Sequence, residues 1–168
     1  MDSSVKITSG SLKSVFDQVK EHGIALQSSA GSNSLAQSTD IRTMYQLGEL
    51  PCTFRDVQEF YATFIIIHKS RFVLEHIMRP WLSCALTDGC MSMSRDSREP
   101  CPNVPNIYGV CHRFDQSVLS IILNRLYHDS LGKVSFGQKL LWTKHQGSRS
   151  SYSFLPNFVN EFIFKKTT

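Results

Sequence analysis

"EFYATFIIIHKS", residues 59–70, decides the fold. Its continuous apolar, β-branched run predicts a strand buried on both faces, as in an α/β sheet. Ser70 is placed to cap the helix that follows, "RFVLEHIMRPWLSCAL" (71–86). On that helix Val73, Ile77 and Trp81 share one face, and Leu74, Met78 and Leu82 a neighbouring one. Pro80 lacks an N–H and is expected to kink or divide it.

Working outward toward the N-terminus, "SGSLKSVFDQVKEHG" carries Leu12, Val15, Phe16 and Val19 at helical spacing, with a serine to start it and Gly23 to end it. "IALQS" (24–28) reads as a short strand, and "DSSVKI" (2–7) as the end of another. Residues 28–40 are rich in Ser, Gly and Asn and read as a loop; "TMYQLG" begins a short helix or turn closed by Gly48 and Pro51. Toward the C-terminus, residues 87–111 form a long loop, of a length expected only where a loop is functional or stapled. A helix follows with Val118, Leu119, Ile122, Leu123 and Leu126 on one broad face. "VSFGQKLLW" holds a strand or short helix, and "SFLPNFVNEFIFKK" fits either period. The alternation of helices and strands predicts an α/β layered fold.

With 168 residues the chain is expected to be one domain with a proper core. A net charge of +4 from scattered Lys and Arg gives nucleic-acid binding little support. No apolar run approaches the ~20 residues of a membrane span. Met1 is followed at once by Asp-Ser-Ser, which does not read as a signal peptide. Four of the five cysteines, Cys84, Cys90, Cys101 and Cys111, are separated by five, ten and nine residues; the fifth is Cys52. That clustering suits disulfides and an oxidising compartment, and the spacing is not a C-x-x-C zinc framework. The pairing stays open, with reduced buried thiols the other option. Phosphate-loop, dinucleotide-binding, serine-hydrolase and zinc-protease signatures do not occur in the sequence.

The chemistry concentrates in "CHRFDQSVLSIIL" (111–123). Asp115 is the natural N-cap of that helix, its carboxylate accepting from the backbone N–H of Ser117 or Val118. A cap does not account for His112, Arg113 and Gln116 beside it. Arg and His at a helix N-terminus suit phosphate or a developing anion, an imidazole moves protons near neutral pH, and a carboxylate can take a proton from a sugar hydroxyl. The plainer account is a salt-bridged loop pinning the cap. His68, which ends the apolar strand, is a second candidate, because ligands gather at the carboxyl ends of strands in open α/β sheets. Asp2, beside a strand end, is a weak candidate for holding a divalent cation.

"RPWLSCALTDGCM" followed by "CHRFDQSVLSIIL" resembles a poorly characterised animal family of glycosyltransferase-like proteins. Its members typically read W-[VL]-x-C-A-L-x-x-x-C-[IM], then C-H-R-[FY]-D-Q-S-x-L-x-I-[IL]-L. "ATFIIIHKS" is similar to the strand and loop before this pair. "MDSSVKI" resembles the family's W-x-D-[ST]-S-V-[RK] segment without its tryptophan, and "TDIRTMYQLG" its T-H-x-x-M-Y-x-Y-L segment, with Asp40 where a histidine is usual. The likeness runs to about residue 128 and is long and specific only in the two central motifs.

The resemblance implies a partial GT-A-like α/β fold, a mixed sheet flanked by helices that lacks the N-terminal nucleotide-binding half. Residues 1–128 would form the family-like core of a single partial domain and 129–168 a weakly defined extension. It implies transfer of a sugar from a nucleotide-sugar donor to a glycan or protein acceptor in the Golgi lumen, with membrane attachment only through an upstream anchor. Asp115 and His112 would be catalytic, and Arg113, Gln116 and His68 would bind substrate. Asp2 would hold Mn2+ or Mg2+, with Ser4 where a second acid is common. The isolated chain is expected to be catalytically silent. The alternative is a degenerate, non-catalytic binding module of the same fold.

Overall fold

Ile24, Ala25 and Leu26 are fully buried in one short strand, and the fold is layered around it. The computed structural model describes residues 5–7, 12–28, 33–92, 107–109, 111–137 and 141–143. In chain order these form β1 (Val5–Ile7), α1 (Lys13–His22), β2 (Ile24–Ser28), α2 (Leu35–Ser38), α3 (Ile41–Gln46) and β3 (Phe60–Ile67). There follow α4 (Arg71–Val73), a π-helical segment Leu74–Met78, α5 (Arg79–Leu86), α6 (Phe114–Tyr127), β4 (Ser135–Phe136) and β5 (Leu141–Thr143). The architecture is α/β.

The principal sheet has the order β3-β2-β4, with β2 antiparallel to β3 and parallel to β4. Separately, β1 and β5 pair antiparallel, Lys6 opposite Trp142. Side chains alternate across a strand, so Ile24 and Leu26 join Val73, Ile77, Leu119 and Leu123 on one face of the sheet. Ala25 joins Val15 and Val19 of α1 on the other, with Phe64 and Phe136 meeting edge to face at 6.0 Å. Each such buried aliphatic side chain contributes about 1.5–3 kcal/mol.

The strand buried on both faces is therefore β2, not β3. β3 occupies a sheet edge, only Phe60 and Phe64 of it are buried, and Ile67 is exposed. Its register also breaks. Leu26 pairs with Ile65 while Gln27 pairs with Tyr61, which leaves Ala62, Thr63 and Phe64 as a bulge.

Several local expectations hold. Gly23 ends α1 in the left-handed conformation at φ 88°, and its N–H donates to the Val19 carbonyl at 2.7 Å. Ser70 caps α4 by accepting from the Val73 N–H at 3.3 Å. Pro80 sits inside a helical run that continues from Arg71 to Leu86, and the disturbance is taken up by the π-helical turn, where the Arg79 N–H reaches back to Leu74. The Val73–Ile77 face enters the core, whereas Leu74 and Leu82 on the neighbouring face are exposed.

Others are corrected. The start of α1 falls on Leu12 with no side-chain cap. Part of the expected loop 28–40 is helical, because Ser34 and Gln37 form a capping box over α2. Asp40 caps α3 by accepting from the Arg42 N–H at 2.8 Å. α6 carries no side-chain cap: its N-cap is Arg113, and Asp115 lies inside the first turn. Residues Ser117 to Asn124 of α6 are all buried, so its apolar face is nearer a full circle than a stripe.

Candidate functional site

The turn from Cys111 to Ser117 is held from below by polar contacts. Cys111 is disulfide-bonded, and a second disulfide joins Cys84 at the end of α5 to Cys90. Cys84 and Cys90 pack against Val118 and Ile122 of α6, and the Trp81 indole N–H donates to the Asp115 carbonyl at 3.1 Å. The two segments that carry the family resemblance thus form one structural unit.

His112 lies at the centre of that unit with none of its surface exposed. Its Nε2 is 2.9 Å from the Met91 carbonyl and donates to it; its Nδ1 accepts from the Asp40 N–H at 3.4 Å. That pattern selects the neutral imidazole, since a protonated ring has no acceptor. Burial pushes the His112 pKa down, against the hydrogen bond to Met91 and the carboxylate of Asp40. Burial would raise Asp40, but the hydrogen bonds and charge of Arg42 outweigh it and hold that carboxyl below its usual range.

Phe114 follows with φ 47°, among the described residues the one non-glycine in the left-handed region. An aromatic residue there stores strain of about 1–2 kcal/mol, a feature that clusters at functional turns. The strain lets the chain tuck His112 inward while Phe114 and Asp115 face solvent, the two rings meeting at 5.2 Å.

Beneath Arg113 lies a residue that the sequence does not advertise. Glu59, just before β3, is 2% exposed. Its Oε2 is 3.6 Å from Arg113 Nη1 and its Oε1 3.1 Å from Ser117 Oγ. Burial pushes its pKa up to about 7, against the pull of the Gln116 amide and the Arg113 guanidinium. The Gln116 amide nitrogen closes no full hydrogen bond, while its oxygen accepts from the Ala62 N–H of the bulge at 3.4 Å. Ser120 Oγ accepts from the Phe60 N–H at 3.0 Å. α6 therefore satisfies the start of β3 with its own side chains. An acid heading an apolar strand reads as a solvent-facing end, so only a partner search from Arg113 would have found Glu59.

Because β3 runs against β2 and β4, its amino end lies at their carboxyl ends. Arg113, Gln116, Ser117 and Glu59 meet at that edge, where α/β folds bind ligands. Gln27 Oε1 and Thr63 Oγ1, beside the bulge, are buried without a hydrogen-bond partner. His68 is exposed at the opposite end of β3, on the order of 25 Å away, its N–H donating to the Gly23 carbonyl. The structure does not bring it to the others. Asp2 lies outside the described residues. A groove of about 500 Å3 between α3 and the Glu75–Thr87 stretch shares no lining residue with the 111–117 turn.

Among the described residues no group of three or more His, Cys, Asp or Glu side chains is arranged to hold a metal ion, and no helix is long and apolar enough to cross a membrane. The chain matches no family model, no curated protein and no solved structure.

Proposed function

We propose that this chain is part of a glycosyltransferase-like domain of partial GT-A-like fold, transferring a sugar from a nucleotide-sugar donor to a glycan or protein acceptor. The observation that carries the proposal is the convergence of Arg113, Gln116 and Glu59 at the carboxyl edge of β2 and β4, beside the first turn of α6 that carries Asp115. Arg113 is a third exposed and presents a guanidinium suited to a diphosphate. Asp115, exposed in the first turn of α6, is the carboxylate able to take the proton of an acceptor hydroxyl. Phe114 offers an exposed ring beside it for a sugar face. His112 shapes the turn from the interior. The Cys84–Cys90 disulfide and the disulfide-bonded Cys111 fit the luminal setting that the resemblance implies. Among the described residues no cluster is arranged for Mn2+ or Mg2+, and Asp2, the candidate ligand, lies outside them.

A second reading, a non-catalytic binding module of the same fold, is favoured by one observation. Both ring nitrogens of His112 are engaged and Glu59 is buried, so Asp115 is the one carboxylate or imidazole of this cluster that meets solvent.

The test is a panel of nucleotide sugars offered to the protein, with binding followed by ligand-observed NMR and transfer by mass spectrometry of glycan acceptors. Donor binding that is lost in Arg113→Ala, with transfer lost in Asp115→Asn, supports the transferase. Donor binding without transfer in any protein containing this chain supports the binding module. Absence of donor binding removes both nucleotide-sugar readings.

A further inference from the structure

Ser117 has one hydroxyl proton and two oxygens competing for it. Its Oγ is 2.8 Å from the Ser38 carbonyl and 3.1 Å from Glu59 Oε1, and the Arg113 N–H divides between that carbonyl at 3.1 Å and the Oγ at 3.3 Å. The shorter contact takes the proton. The remaining contact, oxygen to oxygen at hydrogen-bond distance, then needs a proton from the other side, and Glu59 is the group able to supply it. Ser38, the other hydroxyl bearing on Glu59, already donates to the Ser34 carbonyl at 3.0 Å. Donor accounting thus places a neutral carboxylic acid at Glu59, in accord with its burial.

We propose that Glu59 is the proton-holding positioning residue of the 111–117 turn. As a neutral acid it donates to Ser117, which donates to Ser38, and Arg113 is left free for an anion at the sheet edge. On ionisation the proton passes to solvent water, the Ser117 hydroxyl turns to the carboxylate, and the guanidinium, now 3.6 Å away, is drawn inward. Anion binding at Arg113 and proton loss from Glu59 are therefore mutually exclusive. The anion's identity as a donor diphosphate rests on the transferase reading; the behaviour of Glu59 does not.

Few other charges face this carboxyl. From α3, Asp40 and Arg42 close on each other at 2.8 Å. From the turn, His112 is committed to Met91 and Asp40, and Asp115 points outward. From α6, Arg125 is paired with Glu49, and β3 carries no charged residue. Arg113 alone couples to Glu59.

The experiment follows the side-chain carboxyl carbons of 13C-glutamate-labelled protein against pH in the wild type, Glu59→Gln and Ser117→Ala. One glutamate is expected to titrate near neutral pH, to vanish in Glu59→Gln, and to be tracked by the Arg113 guanidinium signal. In Ser117→Ala the titration is expected to shift, because the neutral acid loses its acceptor and the carboxylate its hydroxyl donor. An unchanged titration would mean that Ser117 does not serve Glu59, and the relay would be wrong. Ordinary titration of every glutamate in the wild type would end the proposal outright. Inorganic pyrophosphate is then titrated in wild type and Glu59→Gln, the variant serving as reference for the probe's own ionisation. Relative to the variant, wild-type affinity is expected to fall toward about tenfold per pH unit once Glu59 ionises. Equal pH profiles would refute the gating. Binding at no pH would count against the transferase reading, while the carboxyl titration still judges Glu59.

Discussion

The Trp81 indole donates to the main-chain carbonyl of Asp115 at 3.1 Å, fastening α5 to the first turn of α6 across 34 residues of sequence. The contact explains why tryptophan stands there: its bulk packs beside Ile77 and Leu126 while its one polar atom reaches the helix end. Trp81→Phe keeps the bulk and removes the N–H. A stability loss of about 1 kcal/mol is expected, since the Asp115 carbonyl keeps its place in the helix ladder. Denaturant midpoints followed by far-UV circular dichroism measure it; a loss several times larger would mean that the contact also organises the loop between the helices.

Asp115 stands one residue inside α6 and does not cap it. At a cap, asparagine replaces aspartate well and alanine does not. In the first turn the carboxylate contributes only through the helix dipole, about 0.3–1 kcal/mol. Asp115→Asn and Asp115→Ala are therefore expected to be equally and mildly destabilised by thermal melts. A gap above about 1 kcal/mol between the two variants would restore the capping role.

The pattern of strands and helices was largely legible because it rests on local periodicity. "IALQS" is a strand with the expected bounds, and Ser70 and Gly23 punctuate helices as their chemistry dictates. What could not be read is what depends on strand direction and on long-range partners. His68 looked like a ligand-end residue because it closes the apolar strand; with β3 antiparallel to β2, that end faces away from the turn at 111–117. His112 looked like a proton carrier because composition does not show that its partners, Asp40 and Met91, lie far away in sequence. Glu59 was passed over because one acid before a strand carries no period at all.

The cysteines divide by accessibility. Cys52 is free and exposed, whereas Cys84, Cys90 and Cys111 are bonded. Alkylation of the native protein without reductant is expected to label Cys52 and spare those three, read by peptide mass spectrometry. The Cys84–Cys90 bridge closes a short loop and is worth about 2 kcal/mol in chain-entropy terms. Cys84→Ala with Cys90→Ala should lower the melting temperature correspondingly. Labelling of Cys84 or Cys90 in the unreduced protein would contradict the bridge.

Two buried groups in this site push stability in opposite directions with pH. Glu59 has its folded pKa raised from 4.5 to about 7, so the unfolded chain releases that proton first. Its contribution is fully present below about 4.5 and is lost as pH rises through about 7, a change of roughly 3 kcal/mol. His112 has its folded pKa lowered from 6.5, so the unfolded chain takes up a proton first, and its contribution is lost as pH falls below 6.5. Glu59→Gln mimics the neutral acid and removes the first slope. Relative to the wild type, the variant is expected to gain stability as pH rises from about 4.5 to about 7, and still to weaken on acidification through the histidine. His112→Gln should remove the histidine's share of the acid-side loss, at a fixed cost of about 2 kcal/mol or more for disturbed partners in the interior. Urea titrations across that pH range measure both slopes. If the stability difference between Glu59→Gln and the wild type did not change between about pH 4.5 and 7, the carboxyl would be ionised in the folded state throughout, and its burial against Arg113 would be an ion pair rather than a proton store.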